Sequence, residues 1–292
     1  MRVIDTTIFN NDFLTLRIRL NELSKIVDKF IISESNYSHS GIKKPLHLLE
    51  NLSEFAEFRD KIILVSDTKK IFTRNARIRE QHQRNQIDPE IAKLKLNDTD
   101  LIIHSDCDEI PRASTIFNIA KKQLNSNYLL ELDDFSYYIN LYQGKWARCT
   151  VTPMKLFRGV QAARQNIFMS MARSQQRISS PFIRIPDFWT TRRFFRFFPH
   201  LKYDPKLKLI KNSGWHFNNL FSDKDLATKV LFSSHTELVK DVDLDLNSIR
   251  YLKSKKLNIY SKQPLKVVPL NNSYPKYILN NLEEFEEFIA IG

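Results

Sequence analysis

Residues 100–112 read DLIIHSDCDEIPR, and the change from apolar to acidic within them decides the fold. Asp100–His104 is apolar enough to be covered on both faces, as strands inside parallel sheets are. The chain then runs out through Ser105, Asp106, Cys107, Asp108 and Glu109, and Pro111 opens a helix predicted over Arg112–Leu124. Two runs of the same strand type precede it, VDKFIIS at Val27–Ser33 and KIILV at Lys61–Val65. Helical patterns separate them. Phe13, Leu16, Leu20 and Leu23 recur at three- and four-residue steps over Asp12–Leu23. Glu54–Phe58 makes a helical turn, and Arg74–Ile87 reads as a polar helix ended by the Asp88-Pro89 pair. Tyr128–Leu132 and Arg148–Phe157 read as further strands. This alternation predicts a Rossmann-like α/β fold with a mostly parallel central sheet and helices on both faces. Ligands bind such sheets beyond the carboxyl ends of the strands, which is where residues 105–109 fall.

The chain of 292 residues carries 45 basic and 33 acidic side chains, a net charge of +12, and the imbalance is local. Thirteen of the basic residues lie between Lys155 and Lys211, opposed there only by Asp187 and Asp204. An anionic partner would meet that stretch. The hydrophobic content, 42%, is too high for a disordered chain. No apolar run approaches the roughly 18–20 residues of a membrane span. The opening MRVIDTTIFNNDF lacks the layout of a secretory signal, so a cytoplasmic location is expected. Cys107 and Cys149 make neither a disulfide framework nor a metal-ligand spacing. These features exclude a knottin, a zinc finger and an integral membrane protein. Without internal repeats or linkers, the expectation is one domain of three parts. An α/β part covers about 1–158 and a basic aromatic insert about 160–212. A helical part covers about 213–292, with helices at 222–232, 245–255 and 275–290.

Asp106 and Asp108, two residues apart where the chain leaves the sheet, can present oxygens to one hard cation. A divalent ion held there would neutralise charge on a departing diphosphate. The alternative is a solvated acidic turn that caps the following helix through Asp108 or Glu109.

Further stretches carry a resemblance. Residues 20–51 read LNELSKIVDKFIISESNYSHSGIKKPLHLLEN, and residues 80–85 read EQHQRN. Together with SDCDEIP, the segments GWHF (214–217), SSHTE (233–237) and YPKYI (274–278) follow in order. The chain resembles glycosyltransferase family 17 over about residues 9–112 and 212–290. That resemblance implies a GT-A type fold and a metal-dependent, inverting transfer of a sugar, GlcNAc, from a UDP-sugar to a glycan hydroxyl. The products would be surface polysaccharide, lipopolysaccharide or glycoprotein glycan. The partners implied are a nucleotide sugar and an oligosaccharide or lipid-linked acceptor, with no nucleic acid. A member without an N-terminal anchor is expected to be bacterial or viral.

The resemblance places Asp106, Asp108 and His216 around Mn²⁺ or Mg²⁺, a donor set that suits Mn²⁺ better than Ca²⁺. It places Glu34 and Asn36 on the uridine, beside Asp106, and Arg84 and Asn85 on the diphosphate, a natural partner of a guanidinium. Read alone, each has an alternative. His216 could pack beside Trp215, Glu34 and Asn36 could form a polar turn, and Arg84 could pair with Glu80 four residues earlier. Lys44 and Pro45 read as a basic loop. An inverting transfer also needs a general base. Asp134 and Glu237 lead, followed by Glu109, with Asp133 and Asp187 also available.

Residues 181–201, PFIRIPDFWTTRRFFRFFPHL, interleave seven aromatic rings with four arginines. The pattern suits peripheral docking on an anionic membrane or an anionic glycan. It also suits nucleic acid, or a helix with its rings in the core. Two functions of other classes remain open at this level: a metal-dependent nucleic-acid protein, and a non-catalytic glycan-binding protein on the same scaffold.

Overall fold

The computed structural model describes residues 1–122, 124–164, 207–232 and 245–292. Four parallel strands form the first half of the sheet: β1 (Val3–Phe9), β2 (Lys29–Ser35), β3 (Ile62–Asp67) and β4 (Leu101–His104), in the order β3-β2-β1-β4. Helices α1 (Phe13–Leu23), α2 (His47–Glu50), α3 (Ala76–Asn85) and α4 (Asp88–Lys93) lie between them in the chain. Successive strand residues alternate between two cores, because side chains of a strand point to opposite faces. Phe30, Ile32, Leu101 and Ile103 pack with Leu16, Leu20 and Leu23 of α1. Ile31 and Ile102 pack on the other side with Ile87, Ile91 and Val160. Both faces are covered, as the apolar runs required.

The second half of the sheet is mixed. A short β5 (Glu109–Pro111) follows the acidic turn and leads into α5 (Ala113–Ala120). After it come β6 (Tyr128–Ser136), β7 (Leu141–Pro153), β8 (Lys208–Ile210) and β9 (Gly214–Asn218). β7 runs antiparallel to both β4 and β6, and β9 lies between β6 (parallel) and β5 (antiparallel). The C-terminal part adds α6 (Asp223–Phe232), α7 (Leu246–Ser254), β10 (Lys266–Val267) beside β7, and α8 (Lys276–Asn280).

The α/β architecture follows the sequence reading, with specific departures. β1 is the true first strand and was not legible, since VIDTTIF carries Asp5, Thr6 and Thr7 at its centre, yet all seven residues are buried. Asp5 is tolerated because Arg19 pairs with it inside the core. The Asp88-Pro89 pair opens α4 and does not merely end α3, as proline suits a first helical turn. Pro111 closes β5 before the helix begins. β7 starts seven residues earlier than its apolar end suggests, because Gln143, Gly144 and Lys145 hide its first half. The 275–290 stretch divides into α8 and a 3₁₀ turn at Leu282–Phe288. Among the described residues no helix is long and apolar enough to cross a membrane.

Gly214 lets β9 approach β5. A Cβ there would lie 2.1 Å from the carbonyl oxygen of Ile110 and 2.8 Å from Cα of Pro111, closer than any carbon can sit.

Candidate active site

The acidic turn at Ser105–Glu109 leaves the carboxyl end of β4, and its backbone is held from within. Arg19, fully buried on α1, binds the Asp5 carboxylate through Nε and Nη2 at 2.7 and 2.6 Å. Its remaining N–H groups donate to the carbonyls of Asp106 (3.1 Å) and Glu109 (2.8 Å) and to Ser105 Oγ (2.9 Å). Buried carbonyls need such partners. The sequence signal was present but unread: Arg19 lies three residues after Leu16, on the buried side of an otherwise apolar stripe.

Asp106 faces two arginines. Arg84 Nη2 reaches its Oδ1 at 2.9 Å, and Arg164 Nη2 reaches its Oδ2 at 2.5 Å. Burial alone would raise the carboxyl, but Arg164 and Arg84 outweigh it and hold Asp106 far below the usual range. Arg84 is also tied to Glu80 at 2.6 Å, so the surface pair and the site role coexist in one side chain. Its neighbour Gln83 fixes α3 by donating to the carbonyls of Ser33 (2.8 Å) and Phe9 (3.3 Å), at the ends of β2 and β1. Arg164 binds Glu109 through both Nη atoms, at 2.6 and 3.0 Å. Glu109 further accepts from Trp146 Nε1 (2.6 Å) and from the Asp106 backbone N–H (3.0 Å), so both carboxylate oxygens are engaged. Arg164 went unnoticed in the sequence because it sits among many basic residues without a motif.

Asp108 faces a different set. His216 Nε2 lies 3.6 Å from its Oδ1 and Lys229 Nζ lies 3.5 Å from its Oδ2. These cations overcome the burial penalty and bring Asp108 down to about 2. Register explains the histidine: on β9, His216 pairs with Asp134 of β6 on one side and with Glu109 of β5 on the other. Its Nδ1 approaches Asp134 Oδ1 at 2.7 Å, out of line for a hydrogen bond, and its ring stacks on Trp146 with centroids 4.9 Å apart. Burial opposes a charged imidazole here, but Asp134 and Asp108 together push His216 up to about 10. Lys229, on α6, also reaches Asp12 Oδ1 at 3.3 Å.

The remaining expected residues spread along the ends of β2 and α3. Glu34 is buried, accepts the backbone N–H groups of Leu48 and Leu49 at the start of α2, and lies 3.7 Å from the Lys44 ammonium. Lys44 is thus a buried partner and not a solvated loop residue. Asn36 follows β2 with its Oδ1 buried and unpartnered. Asn85 is exposed at the end of α3. Beside Asn36 opens a cleft of about 410 Å³ lined by Tyr37, Lys70, Phe72, Arg74 and Arg79. Phe72 is 88% exposed on its rim. Asp133 pairs with Lys145 at 2.5 Å. Glu237, Asp187 and the 181–201 segment lie outside the described residues.

Among the described residues no group of three or more His, Cys, Asp and Glu side chains is arranged to hold a metal ion. Asp108 and His216 nevertheless suit a divalent ion as a pair. They offer carboxylate and imidazole side by side, with the Asp134 carboxylate 2.7 Å from Nδ1. Asp106 meets Arg84 and Arg164 with its two oxygens.

The mixed α/β sheet carries its acidic turn beyond the carboxyl end of β4, and the family match makes the chain a glycosyltransferase. A model of glycosyltransferase family 17 matches residues 1–191, and the chain belongs to that family. The beta-1,4-mannosyl-glycoprotein 4-beta-N-acetylglucosaminyltransferase of Rattus norvegicus is 36% identical over 66 residues, which are 22% of this chain and 12% of that protein. The match therefore spans about one-eighth of the relative's length. Among solved structures, glucosyl-3-phosphoglycerate synthase from Mycobacterium tuberculosis, in complex with Mn²⁺, uridine diphosphate and phosphoglyceric acid, covers 95% of this chain and 91% of its own. Its identity is 9% and its TM-score 0.36. His216 and Lys229 both lie beyond the part that the family model matches.

Proposed function

We propose that this glycosyltransferase moves N-acetylglucosamine, with inversion, from UDP-GlcNAc to a hydroxyl of an oligosaccharide or lipid-linked glycan, with Mn²⁺ or Mg²⁺. The observation that carries this reading is the convergence of Arg84, Arg164, Lys229 and His216 on two carboxylates beyond the carboxyl end of β4. Buried guanidinium groups suit a diphosphate, which they bind with charge-assisted, geometrically fixed hydrogen bonds. Arg84 and Arg164 would take that role, with Asp106 holding both in place. The ion, on Asp108 and His216, would supply a Lewis acid against the charge that develops on the departing UDP. Asp134 orients the His216 ring. The cleft that follows β2, lined by the rings of Tyr37 and Phe72 with Lys70 and two arginines, favours a nucleoside there.

Glu109 and Asp134 serve in this reading as positioning residues, since Arg164 and Trp146 enclose the first and His216 faces the second. That leaves Glu237 as the base to test first. Residues 1–158, with Arg164 and His216 added from beyond them, would hold the donor and the ion, and the rest of the basic insert up to 212 would meet the acceptor or an anionic membrane.

UDP release from UDP-GlcNAc by the purified chain, in Mn²⁺ and in EDTA, tests the proposal. Turnover with UDP-GlcNAc above that with UDP-glucose and UDP-galactose, abolished by EDTA, is the expected result. Equal turnover in EDTA would remove the ion, and preference for another donor would remove GlcNAc.

A further inference from the structure

We propose that Lys229 is a tethered counter-cation that withholds Asp108 from a divalent ion until the anionic donor arrives. This rests on the reading that Asp108 and His216 take such an ion. Three separate parts of the chain meet at the lysine: Asp12 just before α1, Asp108 after β4, and Lys229 on α6. The ammonium lies 3.3 Å from Asp12 Oδ1 and 3.5 Å from Asp108 Oδ2, and 4.4 Å from the centre of the Phe221 ring. Its side chain is largely shielded from solvent, and both acids are more shielded still.

Two buried carboxylates repel each other, and Lys229 relieves that repulsion with a single charge. A divalent ion approaching Asp108 and His216 then meets a positive charge already in place, in a setting where water screens little. The donor's diphosphate changes this balance. It offers the ammonium a stronger anion, so that Lys229 can leave Asp108 Oδ2 open to the ion. Ion and donor then help each other to bind, and by linkage each does so by the same factor. The competing explanation is that Lys229 only ties α6 to the sheet. The two differ in sign: a lost tie loosens every ligand, whereas a lost competitor tightens the ion.

The experiment titrates MnCl₂ into the full chain by calorimetry, without nucleotide, for wild type and for Lys229→Met, Lys229→Gln, Lys229→Arg and Asp108→Asn. Circular dichroism and melting report whether each variant folds. Lys229→Met and Lys229→Gln should bind Mn²⁺ at least about tenfold tighter than wild type, within the usual span of coupling between sites. Lys229→Arg should match wild type, and Asp108→Asn should lose the ion. UDP titrated in EDTA should bind several-fold more weakly to Lys229→Met, the opposite change. Mn²⁺ affinity that is unchanged or reduced in the folded lysine variants overturns the inference and leaves the ion reading intact. Absence of Mn²⁺ binding in wild type and lysine variants alike overturns both. Should the Met and Gln variants both fail to fold, wild type still decides. UDP must then tighten Mn²⁺ binding at least about tenfold, after correction for Mn²⁺ bound by free UDP, and no tightening overturns the inference.

Discussion

Asp106 and Asp108 stand two residues apart, yet different regions of the chain hold them: residues up to Arg164 hold the first, and residues from His216 onward hold the second. Asp106 answers to Arg84 on α3, from the parallel half, and to Arg164, which follows β7. Both partners keep their charge at any pH at which the protein folds. Asp108 answers to His216 on β9 and Lys229 on α6, both C-terminal to the basic insert. An imidazole can lose its proton to become a ligand, and a lysine on a flexible stem can be drawn elsewhere. One acid is locked into the frame, while its neighbour is held by groups that can yield. If Asp108 takes the ion as proposed, a pair that looks equivalent in the sequence divides its work: Asp106 arranges cations, and Asp108 exchanges them.

The comparison can be broken most severely at Arg164. Its replacement by alanine leaves the buried Glu109 without its cation, and breaking such a pair costs about 3–5 kcal/mol. Urea denaturation should show a loss of that size, and a loss below about 1 kcal/mol would place Arg164 outside the frame. Next is Asp108→Asn. A bound ion supplies several kcal/mol to charge development, so UDP-GlcNAc turnover should fall by at least about a hundredfold with the melting temperature little changed. Turnover within a few-fold of wild type would make the two acids alike after all. Asp134→Asn comes third, because a partner of a metal-bound histidine is worth about 10–100-fold in ion affinity. Mn²⁺ titration reads this, and an unaltered affinity would detach Asp134 from the Asp108 side. The mildest is Arg84→Ala, which should weaken UDP in EDTA by about tenfold, the worth of one charge-assisted hydrogen bond. An effect confined to Mn²⁺ affinity would move Arg84 across to Asp108.

The contrast between the halves also governs what could be read beforehand. Val27–Ser33, Lys61–Val65 and Asp100–His104 are apolar because both faces of a parallel strand are buried, and each was found within two residues of its true limits. β7 and β9 follow different rules. β7 has one well-packed end and one carrying Gly144 and Lys145, and GWHFN offers the core only Trp215 and Phe217, too short a run to stand out as a strand. The site divides similarly. Asp106, Asp108, Arg84 and His216 lie in motifs with spacing of their own. Arg19, Arg164, Lys229 and Asp12 are ordinary residues locally, brought together across as many as 217 positions of sequence. Their selection depends on charge compensation in a buried place, which no local window contains.

Gly214 gives the chain a point of failure that carries no chemical group. Any side chain there must push β9 away from β5, and His216 rides on the same strand two residues later. Random mutagenesis scored by activity would thus rank this glycine beside the acids, although nothing in it binds or reacts. The same holds when sequences are screened for working members. A chain that keeps every acid, arginine and histidine but bears alanine at this position would own all the parts and assemble none of them. GWH has to be read as one word, spacer included.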